Sequence, residues 1–190
     1  MKVYAGVFLF SMFVGCAAAP AVVVHNIVPY RMLTCHVDPT FTPEQQRKIG
    51  NAAHRWYEVS EHHTDISTPA DMHFNDVATL QPCTVIKVDS QNRMVKKVEK
   101  RYKEAHPGTQ ADIWQMFTIG QRIYVISDRG QPEEFEWNMT HELGHVLGLP
   151  DIDDEIGHVM SRVGPFKGQD FTDRDRSLCR QGGTMGPVCP

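Results

Sequence analysis

The residues whose types and spacing can do chemistry together lie in one stretch, His141-Glu142-Leu143-Gly144-His145-Val146-Leu147-Gly148-Leu149-Pro150-Asp151. On a helix, residues four apart sit one above the other on the same face. His141 and His145 can therefore offer two imidazole nitrogens to one zinc ion about 2.0–2.1 Å away. Glu142 follows the first ligand by one residue, so it flanks the metal and can take a proton from a zinc-bound water as a general base. On a straight helix Asp151 would lie about 15 Å along the axis from His141. A left-handed glycine at Gly148, with Pro150 blocking further helix, turns the chain back and can bring the Asp151 carboxylate under the metal as a third ligand. Three protein ligands leave a fourth position open for water. Asp153 and His158 are alternatives for that third place, and the spacing from Gly148 favours Asp151.

Drawn at random from this chain's own composition, His-Glu-x-x-His followed by Gly148 and then His or Asp at 151 arises with a chance of about 0.02%. The extended motif resembles that of the metzincin zinc endopeptidases, whose usual third ligand is His. The Asp form, and the run His-Val-Leu-Gly-Leu-Pro-Asp, looks like the snapalysin group of small secreted neutral proteases. Metzincins also carry a methionine in a tight turn beneath the metal, and Val159-Met160-Ser161 matches it. Arg162 stands two residues after Met160 where astacin-like and serralysin-like patterns have Tyr. The resemblance implies an α+β fold: a twisted mixed sheet, a long N-terminal helix, an active-site helix carrying the motif, a methionine turn and a short C-terminal helix.

The elements that must position these residues are legible in part. Residues 30–37 alternate imperfectly and read as a strand ended by Asp38-Pro39. Thr42 or Thr40 can cap the helix that Pro43 opens, along which Ile49, Ala52, Ala53, Trp56 and Tyr57 recur at helical spacing. His54, His62 and His63 on or just past it read as surface or satisfied histidines. Residues 71–74 and 83–88 are strand candidates, the second the stronger. The basic stretch 94–105 reads as a short surface helix or a mobile excursion with a solvated charged face. Residues 113–118 and 122–126 form two strands across a Gly120-Gln121 turn. In metzincins the corresponding strands flank the cleft and one edge pairs with extended substrate, which implies a peptide or protein partner here. Pro132, Glu133, Glu134 and Glu136 suit the positive end of the motif helix. Asn138-Met139-Thr140 spells a glycosylation sequon but falls inside that helix, so it is expected to be unused. Asp153, Asp154 and Glu155 read as a solvated acidic turn, with calcium binding as the alternative. Thr172 and Asp175 form a capping-box variant ahead of a last short helix, with Leu178 on its inward face.

Residues 1–19 read as a secretory signal: Lys2, an apolar run over 3–14, then small residues. That run is too short for a membrane span. Secretion is expected, with residues 20–190 as one catalytic domain. Phe13-Val14-Gly15-Cys16 loosely resembles a bacterial lipoprotein signal, which would anchor the chain through Cys16 instead. Cys35, Cys83, Cys179 and Cys189 remain, an even number in an exported chain. Of the three possible connectivities, Cys35–Cys83 and Cys179–Cys189 are favoured, one joining two strands and the other closing a short loop. Losing Lys2 with the leader takes the formal charge from −4 to −5. That mild acidity gives no sign of a nucleic-acid partner. The remaining length suits a single domain, expected as a monomer.

These readings converge on a zinc-dependent endopeptidase with His141, His145 and Asp151 as ligands and Glu142 as the base. Asp in place of His should leave the zinc less Lewis-acidic than a third imidazole would. A zinc hydrolase of a non-peptide amide or ester, and a secreted zinc-holding toxin or binding protein, are the alternatives; Glu142 argues against the latter, since a structural site needs no base. Gly164-Pro165-Phe166, with the helix face around Leu143, is expected to wall an apolar pocket for the residue after the cut bond. An inward Arg162 would favour an acidic residue there instead.

Overall fold

The computed structural model of the chain describes residues 31–70, 83–108, 115–129, 132–152, 157–161, 171–183 and 188–189. The expected leader with Cys16, the strand at 71–74, Ile113-Trp114, the acidic residues Asp153, Asp154 and Glu155, Arg162 and residues 164–166 lie outside them. The described elements run β1 (Arg31–Val37), α1 (Pro43–Val59), β2 (Thr64–Ser67), β3 (Cys83–Val88), α2 (Arg93–Ala105), β4 (Met116–Ile119), β5 (Arg122–Ile126), α3 (Phe135–Val146) and α4 (Asp173–Gln181). The strands form one mixed sheet in the order β2-β1-β3-β5-β4. β1 pairs in parallel with β2 and β3, and β3 with β5, while β4 runs antiparallel to β5. A mixed sheet with a long first helix, a motif helix and a short last helix is the expected architecture.

Alternation along the strands divides the core into two. Val85 of β3 and Ile123 and Val125 of β5 face the main core, with Ile49, Trp56, Met139 and Leu143 from the helices. Their neighbours Ile86, Val88, Tyr124 and Ile126 point to the opposite face, where Val95 of α2 covers them. The basic stretch is therefore an ordered helix, not a mobile excursion. Its single buried carboxylate, Glu99, is compensated by an ion pair with Arg129. β2 was not expected. Its four residues hold one large apolar side chain, Ile66, and pairing with β1 rather than intrinsic pattern makes it a strand.

Local signals explain the helix ends. Thr42 caps α1 in a full capping box with Gln45, whereas Thr40 bonds Asp38 instead. Thr172 and Asp175 do the same for α4. His54 and His62 lie on the surface, stacked on Tyr57 at 5.7 and 4.5 Å. Cys35 and Cys83 are register partners on neighbouring strands and form one disulfide; Cys179 and Cys189 form the other. α1 lies along α3: the Trp56 indole donates to Thr140 O at 2.8 Å, and Arg55 stacks on the Trp137 ring at 3.8 Å.

Candidate metal centre

α3 follows a 3-10 turn over Pro132–Glu134 and carries His141, Glu142 and His145 on its cleft side. Asn138, the sequon residue, sits within α3 and donates to Gln115 Oε1 at 2.8 Å, an engaged side chain as its helical position implied. The helix stops at Val146, and Gly148 takes φ +88°. Gly148 N donates to His145 O at 2.9 Å and Leu149 N to Gly144 O at 3.0 Å, the paired bonds of a Schellman ending. This reversal carries Asp151 back to the helix it has just left. Its Oδ1 stands 3.3 Å from Nε2 of His141 and 3.3 Å from Nε2 of His145. Among the described residues these three are the one group of metal-ligating side chains that converges.

The outer nitrogens of both rings are already committed. His141 Nδ1 bonds Val159 O at 2.7 Å, and His145 Nδ1 bonds Leu149 O at 2.9 Å. A carbonyl oxygen only accepts, so each Nδ1 carries the hydrogen and each neutral ring presents a lone pair at Nε2. The two Nε2 atoms face each other at 3.0 Å with the carboxylate oxygen between them. Three acceptor atoms that converge at these spacings can be satisfied by one shared cation. Donors about 2.0–2.1 Å from a tetrahedral zinc stand about 3.4 Å apart, so the carboxylate spacings fit and the two rings need only part by a few tenths of an ångström.

A proton alone meets the same need. Burial disfavours the His145 imidazolium, but the Asp151 hydrogen bond, the Glu142 charge and Leu149 O outweigh it and carry the ring up to about 9. Burial likewise pushes the Asp151 carboxyl up, and the hydrogen bonds and charges of His141 and His145 win, holding it well below the usual carboxylate range. The donors grow more accessible toward one side: His141 is 8% exposed, while the Asp151 side chain is 38% exposed. The group opens toward solvent at the carboxylate.

Met160 lies fully buried beneath α3, against Gly144 and near Trp56. Its turn is tied on both sides of the candidate ligands: Ile152 N donates to Met160 O at 2.7 Å, and Val159 O holds the His141 ring. His158 belongs to a different network. Its Nδ1 bonds Thr172 Oγ1 at 2.6 Å and lies 3.8 Å from the buried Asp175 carboxylate, away from the ligand group. Of the alternatives for the third place, His158 is not part of the group that converges, and Asp153 lies outside the described residues. Leu143 is fully buried in the main core rather than walling an open pocket, because its helix face is turned to the sheet and not to the cleft.

Five contributors escape the sequence. Thr118 Oγ1 donates to Glu142 Oε2 at 2.6 Å, and Gln121 Nε2 donates to Val146 O at 3.1 Å, so the β4–β5 hairpin grips α3 at its middle and its end. The carbonyls of Leu149 and Val159 orient the rings, and every residue has a carbonyl, so no side-chain type marks them. Gly183 packs so closely on Gly148 O that a β-carbon would not fit.

No family model matches the sequence, and no curated protein matches it. Among solved structures, the chain is similar to the crystal structure of archaemetzincin from Methanopyrus kandleri at 14% sequence identity, over 82% of this chain and 96% of that chain, with a TM-score of 0.45.

Proposed function

We propose that this chain is a secreted zinc-dependent endopeptidase of the metzincin type, nearest in its motif to the snapalysin group. His141, His145 and Asp151 would hold the metal and Glu142 would act as the base. The observation that carries this reading is the meeting of three acceptors with both imidazole Nδ1 atoms already satisfied, beside a carboxylate that belongs to no ion pair among the described residues. When bound there, zinc supplies a Lewis acid that polarises a carbonyl and makes water more acidic.

Glu142, 7% exposed at the inner side of the group, takes a proton from the attacking water and returns it to the departing amine nitrogen. The peptide C–N bond breaks as the new C–O bond forms, with no covalent enzyme intermediate and hence no Ser or Cys nucleophile. β4 is the sheet's edge beside α3, and an extended peptide can pair with its backbone irrespective of side chain. The leader-like residues 1–19 and the two disulfides support export.

The test is Glu142→Ala. The variant should keep its fold and its zinc yet lose casein hydrolysis by at least about 10²–10⁴-fold, the usual worth of general-base catalysis. Casein cleavage by that variant at the parent rate would sink the assignment. Chelator-sensitive turnover of simple esters or amides without any casein cleavage would point to the non-peptide hydrolase instead.

A further inference from the structure

Thr118 stands out once Glu142 is read as the base, and the role assigned to it rests on that reading. Along β4, Met116 faces the main core while Phe117 packs on the opposite sheet face, so Thr118 turns toward α3. Its hydroxyl lies 2.6 Å from Glu142 Oε2 and 3.3 Å from Glu142 O. One hydroxyl has one proton to give, and the shorter, charge-assisted bond takes it. Among the described residues no other group bonds that carboxylate, and Oε1 is left without a partner.

We propose that Thr118 is a positioning residue that holds the Glu142 carboxylate in one rotamer, with Oε2 engaged and Oε1 turned to the proton it must accept. A glutamate has several rotatable bonds, and a base that wanders by about 1 Å loses of the order of 10²-fold in rate. A strand-borne hydroxyl is a rigid means of preventing that, because β4 is fixed through β5.

The same residue also faces the substrate side. Gln115 O accepts from Ile126 N at 2.8 Å, which makes Gln115 and Ile126 a hydrogen-bonded pair at the start of the β4–β5 ladder. Bonded pairs alternate in an antiparallel ladder, so Phe117 and Ile119 bond β5 while Met116 and Thr118 turn their N–H and C=O groups to the open edge. A peptide seated on that edge therefore meets the backbone of the residue whose side chain steadies the base. Thr118→Val removes the hydroxyl while retaining the backbone groups, the bulk and a good strand former.

The experiment uses the full, zinc-loaded chain and a fluorogenic peptide. Thr118→Val should lower kcat about 10–100-fold with KM within about twofold of the parent, since the edge it pairs with is intact. Thr118→Ser should recover most of kcat and keep the parent's melting temperature; both variants should keep the parent's zinc affinity, with Thr118→Val melting lower only by the few degrees that one lost hydrogen bond costs. A crystal structure of Thr118→Val should show the Glu142 carboxylate displaced or in more than one rotamer, a readout that needs no turnover. Parental kcat in Thr118→Val, a rise in KM alone, no rescue by Ser, or an unmoved carboxylate each overturn the inference. If the parent itself cleaves no peptide, the endopeptidase reading fails, and the carboxylate position in Thr118→Val still decides whether Thr118 holds it.

Discussion

Replacing Gly144 by Ala sets two effects of known size against each other inside the motif helix. Gly144 is buried in the last turn of α3, where Ala is intrinsically better by up to about 1 kcal/mol. Its new β-carbon, however, would run into the Met160 sulfur and approach Trp56 Cζ2 to 2.8 Å. The Met160 side chain is unbranched and can yield. Trp56 cannot yield cheaply: its indole is held on Thr140 O at 2.8 Å and its ring packs edge-on against Phe171 at 4.8 Å. Overpacking of this kind costs about 1–3 kcal/mol, so the net effect is a loss of about 1–2 kcal/mol. At about 2–4 °C per kcal/mol for a domain of this length, melting should fall by about 2–8 °C. A displaced Met160 also drags Val159 O, which orients His141, and disturbing such an orienting carbonyl should weaken zinc binding about 10-fold. Calorimetric melting of the metal-free chain and zinc titration against a competing chelator measure the two effects. A variant as stable as its parent with the same zinc affinity would show that helix propensity wins and that the turn beneath the helix does not gauge the site.

Four further outcomes test the site and its pocket. Asp151→Ala should sharply weaken zinc retention while Asp151→His keeps metal and part of the activity; a tight-binding Asp151→Ala beside a zinc-deficient His158→Ala would refute the ligand set. In the metal-free chain His145 is raised from 6.5 to about 9, so its contribution to stability is complete below its unfolded value and is lost as pH rises through about 9. Asp151 is lowered from 3.8, so its share is present above that value and fades as acid titrates it. Melting of the metal-free protein should accordingly fall off between about pH 6.5 and 9 more steeply than in Asp151→Asn, and identical limbs over that range would contradict the pairing. Zinc must displace the His145 proton, so its uptake near neutral pH should release a proton, seen as a dependence of binding heat on buffer ionisation. Cleavage of a peptide library should favour large apolar residues after the cut bond; enrichment of Asp or Glu there, abolished by Arg162→Ala, would assign the pocket to Arg162 instead.

What the chain determined by itself was whatever depends on near neighbours in sequence. Two histidines four apart share a helix face by helical geometry alone, and Gly148 followed by Pro150 dictates a left-handed stop that returns Asp151 toward them. A Thr cap at 42 or 40, Thr172 with Asp175, and the Gly120-Gln121 turn were equally readable, because caps and turns are settled within four residues. Tertiary structure decided the rest. β2 has too little pattern of its own and exists through its pairing with β1. Leu143 belongs to the core because α3 turns that face to the sheet, a matter of helix orientation that periodicity cannot supply. Thr118 lies 24 residues before the carboxylate it bonds, on a strand whose register against β5 aims its hydroxyl. The ring-orienting oxygens of Leu149 and Val159 are backbone atoms common to every residue, so only the packing of one turn against another could select them.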